Sequence, residues 1–426
     1  MSEKDNPKIL IISSVNPLYG PGSLALSFYN ALRKFNIDVD LLTKDTCKYH
    51  KKSLLNKFIT KIYNLYNKYF FKQKKGYHFF YKKEIAPPFP IKGVIQSINK
   101  NYDIVLIVFW QELLTYKTIQ SIYEKLQCQI HFLCVDYSPM TGGCHFTGNC
   151  IRFQIGCGKC PALYSSNCKD FTHFNIKYRQ SVLEKVKPII YGNTYMINNY
   201  FKKSYLLRNY DRIEHLFPLI DNDLFSPKEK DYLLNKYQID KKFKFICFFG
   251  AQGLDDERKG MKQLLQALEI FYRKLSQIER QSVLIIFAGK NSENINTQLP
   301  FQYKYMGYVP MEVLPELYSI SSVFLCPSIN DAGPTMVNQS LSCGTPVVSF
   351  EIGTAIDVIK GKNTGYCATP GDPVDFAEGI NSIYKLSEDE YVYMKECCRN
   401  VALQTTSEDK FISTILSKYK KYLNRN

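Results

Sequence analysis

Two adjacent cations, Arg258 and Lys259, close the polar loop GAQGLDDERKG at 250–260, just before an apolar-periodic stretch that opens at Met261. Placed between a strand end and a helix start, they could neutralise the charge of a diphosphate leaving group. Taken alone, such a pair is usually a solvated surface pair, and only its place in the first βα loop of the second half raises the functional reading. A second candidate lies in VFLCPSINDAGPTMVNQSLSCGTPVVSF at 323–350. There an apolar run stops at Pro327, a polar loop leads to Pro334, and a short helix is expected from Pro334 to Cys343, ending at Gly344 before a second buried run. The free N–H groups of Thr335 to Val337 and the positive end of the helix dipole would favour a bound phosphate. Asp331 and Gln339 offer hydrogen-bonding side chains about two turns apart. An ordinary crossover, with Gly and Pro as punctuation, is the competing reading.

A third group is Cys144, Cys150, Cys157 and Cys160, spaced C-x5-C-x6-C-x2-C in TGGCHFTGNCIRFQIGCGKCP. Four thiolates so close together, with glycines permitting tight turns and one C-x2-C knuckle, suit a tetrahedral structural Zn2+, with His145 as a substitute ligand. Reduced, unligated thiols are the alternative. No Ser/His/Asp order, H-E-x-x-H, Walker loop or kinase signature is present.

The elements that must position these residues follow from hydrophobic period. Residues 8–15 read as a buried parallel strand, 16–23 (NPLYGPGS) as a loop, and 24–35 as a helix with Leu24, Phe28, Ala31 and Leu32 on one face. The loop lacks G-x-G-x-x-G, so a nicotinamide fingerprint is not supported, although Gly20 and Gly22 would let a backbone approach a ligand closely. Strands are expected at 38–42, 103–108, 130–135 and 188–191, with helices at 112–122 and 193–206 and a linker at 217–227. The second half restarts with strands at 243–250 and 282–289, helices at 261–275 and 311–320, a last turn at 365–367, a helix at 373–385 and a helical tail at 391–422. Alternation of period 2 and period 3.6 through both halves describes an α/β protein of two Rossmann-like domains.

With 426 residues, 45% apolar and 22% charged, the chain is globular in composition, and its net charge of +16 favours anionic partners. Nucleic acid is not among those expected, because no recognisable module accompanies the charge. Residues 48–83 contain no acid and place Leu55, Phe58, Ile59, Ile62, Leu65, Tyr66, Tyr69 and Phe70 at helical spacing opposite Lys57, Lys61, Lys68 and Lys72. Such a helix fits shallow docking on an anionic membrane, or packing on its own domain with a solvated lysine face. The polar start MSEKDNPK and the short apolar run after it point to a cytoplasmic chain, with peripheral association at the inner membrane face.

The stretch INDAGPTMVNQSLSCGTPVVSF resembles the donor-nucleotide motif of retaining GT-B glycosyltransferases of family four. The resemblance extends through DDERKG, FAGK, GYVP, FPLIDNDLFSP and the loop near Gly20, and DYSPMTGGCHFTGNCIRFQIGCGKCP resembles the Cys-rich segment of the colanic-acid-type branch. It implies two parallel-sheet domains facing across a cleft: an acceptor-side domain at 1–215, a nucleotide-sugar domain at 216–400, and a helix at 401–426 crossing back. It also implies transfer of a sugar, with retention, from a nucleotide-sugar to a glycan or lipid-linked glycan, with no metal needed for catalysis. Lys259 and Arg258 would face the diphosphate, Gly333, Pro334 and Thr335 the diphosphate or sugar, Gln339 the ribose, and Gly20 and Gly22 the donor from the other side. Asp136 is a candidate for contacting donor sugar or acceptor. The family motif has two glutamates where this chain has Asp331 and Gln339, and the His often found before Asp136 is Val135. A non-catalytic nucleotide-sugar-binding or scaffold protein of the same fold is the alternative that Gln339 keeps open.

Overall fold

The computed structural model describes residues 6–14, 22–47, 62, 78–79, 84, 89–111, 113–290 and 299–423. The chain divides into two compact units, Met1–Leu219 with Phe411–Asn426, and Ile220–Lys410. In sequence the divisions fall at 219/220 and 410/411, against expected boundaries after 215 and 400. The strands of the first unit are β1 (Ile9–Ser13), β2 (Val39–Thr43), β3 (His78–Phe79), β4 (Ile104–Val108), β5 (Gln129–Cys134), β6 (Cys144–Phe146), β7 (Ile189–Gly192) and β8 (Ile213–His215). Those of the second are β9 (Phe245–Gly253), β10 (Val283–Lys290), β11 (Gln302–Tyr305), β12 (Val323–Cys326), β13 (Val347–Phe350) and β14 (Gly365–Ala368).

Each unit is built on a six-stranded parallel sheet, ordered β2-β1-β4-β5-β7-β8 in the first and β11-β10-β9-β12-β13-β14 in the second. Both are α/β sheets, as the alternating periods require. The central strands are buried on both faces, which is why they read as continuous apolar runs instead of alternating ones. β3 and β6 form a separate antiparallel pair.

Local chemistry explains where elements differ from expectation. The helix expected from 112 begins at Tyr116, because Thr115 caps it by accepting the Thr118 N–H in a capping box. The turn expected at 365–367 is the edge strand β14, paired with β13. The helical tail breaks at Ser407 into Glu388–Thr406 and Glu408–Leu423. A long helix that the periodicity did not announce, Phe171–Val186, starts at Asp170, whose carboxylate accepts the Thr172 and His173 N–H groups.

The helix Glu408–Leu423 belongs to the core of the first unit. Phe411, Ile412, Ile415 and Tyr422 join Ile9, Phe28, Leu32 and Leu106 in one buried cluster. Phe411 stacks on Phe28 with ring centroids 4.3 Å apart. At its far end Lys418 and Lys421 each reach Glu214 at 2.6 Å. In the second unit the helices Met261–Lys274 and Pro373–Tyr384 share an aromatic core in which Tyr384 meets Phe245 edge-on at 5.2 Å and Phe271 at 5.7 Å. Among the described residues no helix is long and apolar enough to cross a membrane. The basic segment 48–83 and Gly20 lie almost wholly outside the described residues, with only positions 62 and 78–79 of the former included.

Candidate functional site

The candidate site of the second unit sits at the carboxyl ends of two neighbouring strands. β9 and β12 pair with Val323 opposite Cys247, so the loops that leave them are brought side by side. After β9, Glu257–Lys259 forms a single tight turn capped by Asp256, whose side chain accepts the Arg258 N–H. Gly260 then adopts φ +73°, and a Cβ there would stand 1.8 Å from the Pro327 carbonyl oxygen. Only glycine lets the two loops approach this closely. The Ile329 N–H donates to the Arg258 carbonyl at 2.8 Å, which ties the loops together along their backbones.

This approach places Lys259 against Asp331. The ammonium donates to Asp331 Oδ2 at 2.6 Å, and the Gly333 N–H donates to Oδ1 at 3.1 Å. The side chains are 27% and 11% exposed, so the pair borders solvent while its charges are mostly shielded from it. Burial works against both charged forms, but each partner's opposite charge outweighs it. Lys259 is therefore held above its ordinary pKa and Asp331 below its own. Arg258, by contrast, turns back on Asp256 through Nε at 3.1 Å and Nη2 at 2.6 Å. The sequence brought the two cations together; in the structure they serve different carboxylates.

The helix after this loop spans Thr335–Ser342, and Pro334, with ψ 107°, is its cap and not its first residue. The Val337 N–H donates to the Pro334 carbonyl at 3.1 Å, so the capacity to hold an anion falls to Thr335 and Met336 instead of the three groups expected. Gly344 leaves the helix with φ +71°, the left-handed stop foreseen there. Gln339 is buried, and its amide oxygen accepts from the Tyr318 hydroxyl at 3.2 Å. What remains of Gln339 for a ligand is its N–H2 donor pair.

In the first unit Asp136 follows β5 and is buried. Its Oδ1 accepts the Ser138 N–H at 2.7 Å and the Ser138 hydroxyl at 2.6 Å; its Oδ2 accepts Gln111 Nε2 at 2.9 Å and His145 Nδ1 at 2.8 Å. The carboxylate thus positions His145, with the shared proton on Nδ1. Gly22 begins the helix Gly22–Lys34. Gln111 and His145 have no sequence signal linking them to Asp136, whereas the Asp-x-Ser turn at 136–138 is legible.

The four cysteines converge: Cys144, Cys150, Cys157 and Cys160 line one pocket with Thr141, Gly158 and Thr172. All four are free thiols. Burial pushes the Cys157 thiol up to about 12 and Cys160 up to about 11. As the side chains stand, no three or more His, Cys, Asp or Glu among the described residues are arranged to hold a metal ion. Beneath the pocket lies an ion pair that sequence reading missed, because its members are 95 positions apart. Buried Arg179 donates through Nε to Glu84 at 3.0 Å and through Nη1 to the carbonyls of Ser138 and Thr141, and Glu84 accepts the Tyr116 N–H at 2.8 Å.

The family model described as Glycosyl transferases group 1 matches residues 229–400. An uncharacterized glycosyltransferase, MJ1607, of Methanocaldococcus jannaschii is 25% identical over 151 residues, covering 32% of this chain and 39% of that protein. The O-antigen chain mannosyltransferase B of Escherichia coli is 30% identical over 155 residues, covering 34% of this chain and 38% of its own length. The chain thus matches about two fifths of the length of these relatives. At the level of fold, Anabaena Alr3699/HepE, solved with UDP and glucose, superposes with a TM-score of 0.62 at 12% identity, over 98% of this chain and 100% of its own. The sucrose-phosphate synthase of Thermosynechococcus elongatus does so with a TM-score of 0.64 at 12% identity and the same coverage. Residues 229–400, which lie inside the second unit, thus match the glycosyl transferases group 1 family model.

Proposed function

We propose that this chain is a glycosyltransferase that moves a sugar from a nucleotide-sugar donor to a glycan or lipid-linked glycan, with retention of anomeric configuration. The observation that carries the reading is the joining of the β9 and β12 loops through Lys259 and Asp331 beside the helix start at Thr335. A cation, a paired acid and free helix N–H groups in one place form a cradle for a diphosphate. Lys259 supplies charge to the leaving phosphate, Thr335 and its neighbour supply N–H donors, and Gln339 donates to ribose hydroxyls. Gly333 and Pro334 keep the loop backbone close to the donor. The acceptor hydroxyl passes its proton toward the departing phosphate as the new glycosidic bond forms, so no resident metal takes part. Asp136 acts through His145, which its carboxylate orients. Support from proteins of known name comes from the E. coli mannosyltransferase and from Alr3699/HepE with UDP and glucose.

A panel of nucleotide-sugars screened by thermal shift, followed by transfer assays with the stabilising donor, tests the proposal. Lys259→Ala should lower kcat/KM at least about tenfold, as loss of a group that stabilises transition-state charge does. Asp136→Asn should lower kcat with little change in donor affinity. Full activity in Lys259→Ala rejects the assignment of the diphosphate site, and an inverted product anomer rejects retention. Donor binding without transfer or hydrolysis would favour the non-catalytic reading that Gln339 motivates.

A further inference from the structure

The pocket lined by Cys144, Cys150, Cys157 and Cys160 lies in the first unit, outside the segment matched by the family. Its sulfurs come from three local elements: β6 supplies Cys144, the turn after it Cys150, and a knuckle Cys157 and Cys160. That knuckle is costly backbone. Gly156, Cys157, Gly158 and Lys159 have φ of 94°, 58°, 82° and 44°, and two of these four are residues that disfavour the left-handed region.

The surrounding chain holds the knuckle there with its own hydrogen bonds. The Cys157 N–H donates to the Arg152 carbonyl at 2.9 Å and the Lys159 N–H to the Asn167 carbonyl at 2.7 Å. The Gly158 N–H donates to Thr172 Oγ1 at 3.0 Å, and the Cys160 N–H to Asp170 Oδ2 at 2.9 Å. Two guanidinium groups stand close by. Arg152 lines the pocket and bonds the Gly158 carbonyl, and buried Arg179 adds its positive field at Cys144 and Cys157. A divalent ion with four thiolates carries a net charge of about −2, which Arg152 offsets in part, the charge of Arg179 being shared with Glu84.

We propose that Cys144, Cys150, Cys157 and Cys160 bind one Zn2+ as a structural site that locks the 144–160 segment onto the first unit. Closing the site takes rotation of cysteine side chains within the pocket, since their present rotamers do not form a coordination shell. The strained knuckle places both Cys157 and Cys160 in the lining of the one pocket. The ion would hold together β6, the knuckle and the start of the helix Phe171–Val186, none of which buries a large apolar core of its own. His145 is not needed, because four thiolates complete a tetrahedral shell.

The test uses the full chain purified under reducing conditions without chelator. Elemental analysis should find about one zinc per chain, and Co2+ added to stripped protein should give the thiolate-to-metal charge-transfer band and strong visible bands of a tetrahedral tetrathiolate. Cys157→Ser and Cys160→Ser should bring metal content to background. Cys168→Ser should retain it, because Cys168 is exposed and does not line the pocket. Should the first two variants fail to fold, the wild-type cobalt spectrum decides by itself. No zinc and no cobalt band in folded, reduced protein overturns the proposal. So do iron in place of zinc, disulfides among these four residues, or a cobalt spectrum unchanged in Cys157→Ser.

Discussion

Lys259 and Asp331 are 72 positions apart and meet at 2.6 Å. Burial disfavours the charged form of each, and the opposite charge of its partner outweighs that effect. The sign of the pH dependence follows from the two shifts. Asp331 has a lowered folded pKa, so its contribution is complete above the ordinary carboxylate value, about 3.9, and is lost as the pH falls through the lower folded value. Lys259 has a raised folded pKa, so its contribution is complete below the ordinary value of about 10.4 and is lost as the pH rises through the higher one. Between these limits the pair is constant. The stability difference between wild type and Lys259→Met/Asp331→Asn, measured by urea unfolding, should be flat from about pH 5 to 9 and should shrink only as the pH falls below about 4 or rises above about 10. A slope centred near neutrality would mean that another group governs this loop. At Gln339 the structure also sharpens a departure first visible in sequence: the amide oxygen is spent on Tyr318, so the position offers donors where a carboxylate would offer only acceptors.

At the scale of elements, the site depends on two loops touching after neighbouring strands. Gly260 permits that contact. Gly260→Ala faces a left-handed φ, worth roughly 1–2 kcal/mol, and a backbone oxygen 1.8 Å from the new methyl carbon. Gly361, with φ +70° and nothing within 4 Å, carries the first cost without the second. Gly361→Ala should therefore lose only the conformational part and keep its donor affinity. Gly260→Ala should lose about 1–3 kcal/mol more and bind donor at least about tenfold more weakly. Thermal unfolding and donor titration of both variants check this, and equal behaviour of the two would mean that the loop contact does not set the site. The helix Thr335–Ser342 shows the same dependence on packing. Proline marked its start in the sequence, but the Val337 bond to Pro334 decides how many N–H groups face outward.

Across the whole molecule, the net charge of +16 and the acid-free segment 48–83 raise the question of membrane contact. If that segment docks electrostatically, the chain should float with anionic vesicles, remain behind with neutral ones, and be released by salt, because exposed charges are screened beyond about 8 Å at physiological ionic strength. Replacing Lys57, Lys61, Lys68 and Lys72 by Glu should abolish flotation, and equal binding to neutral vesicles would exclude the mechanism. Apolar runs at strand length and helical spacing were sufficient to read the inner strands of both parallel sheets, since burial on two faces or one stripe imprints a short period on the chain. The β9 and β12 loops were legible for the same reason: strand ends, Gly and Pro are local signals. The loose ends included the edge strands β8, β11 and β14 and the helix at 171–186, where neighbours and a single cap residue outweigh periodicity. The sequence alone thus determined the fold class, the glycosyltransferase motif and the grouping of four cysteines, because each is written in residues close together along the chain. Only the tertiary structure decided which charge answers which. It paired Lys259 with Asp331, gave Arg258 to Asp256, and set His145 on Asp136 and Arg179 on Glu84. Three of these four pairings join different elements, and hydrogen-bond geometry between distant residues leaves no periodic trace in the chain.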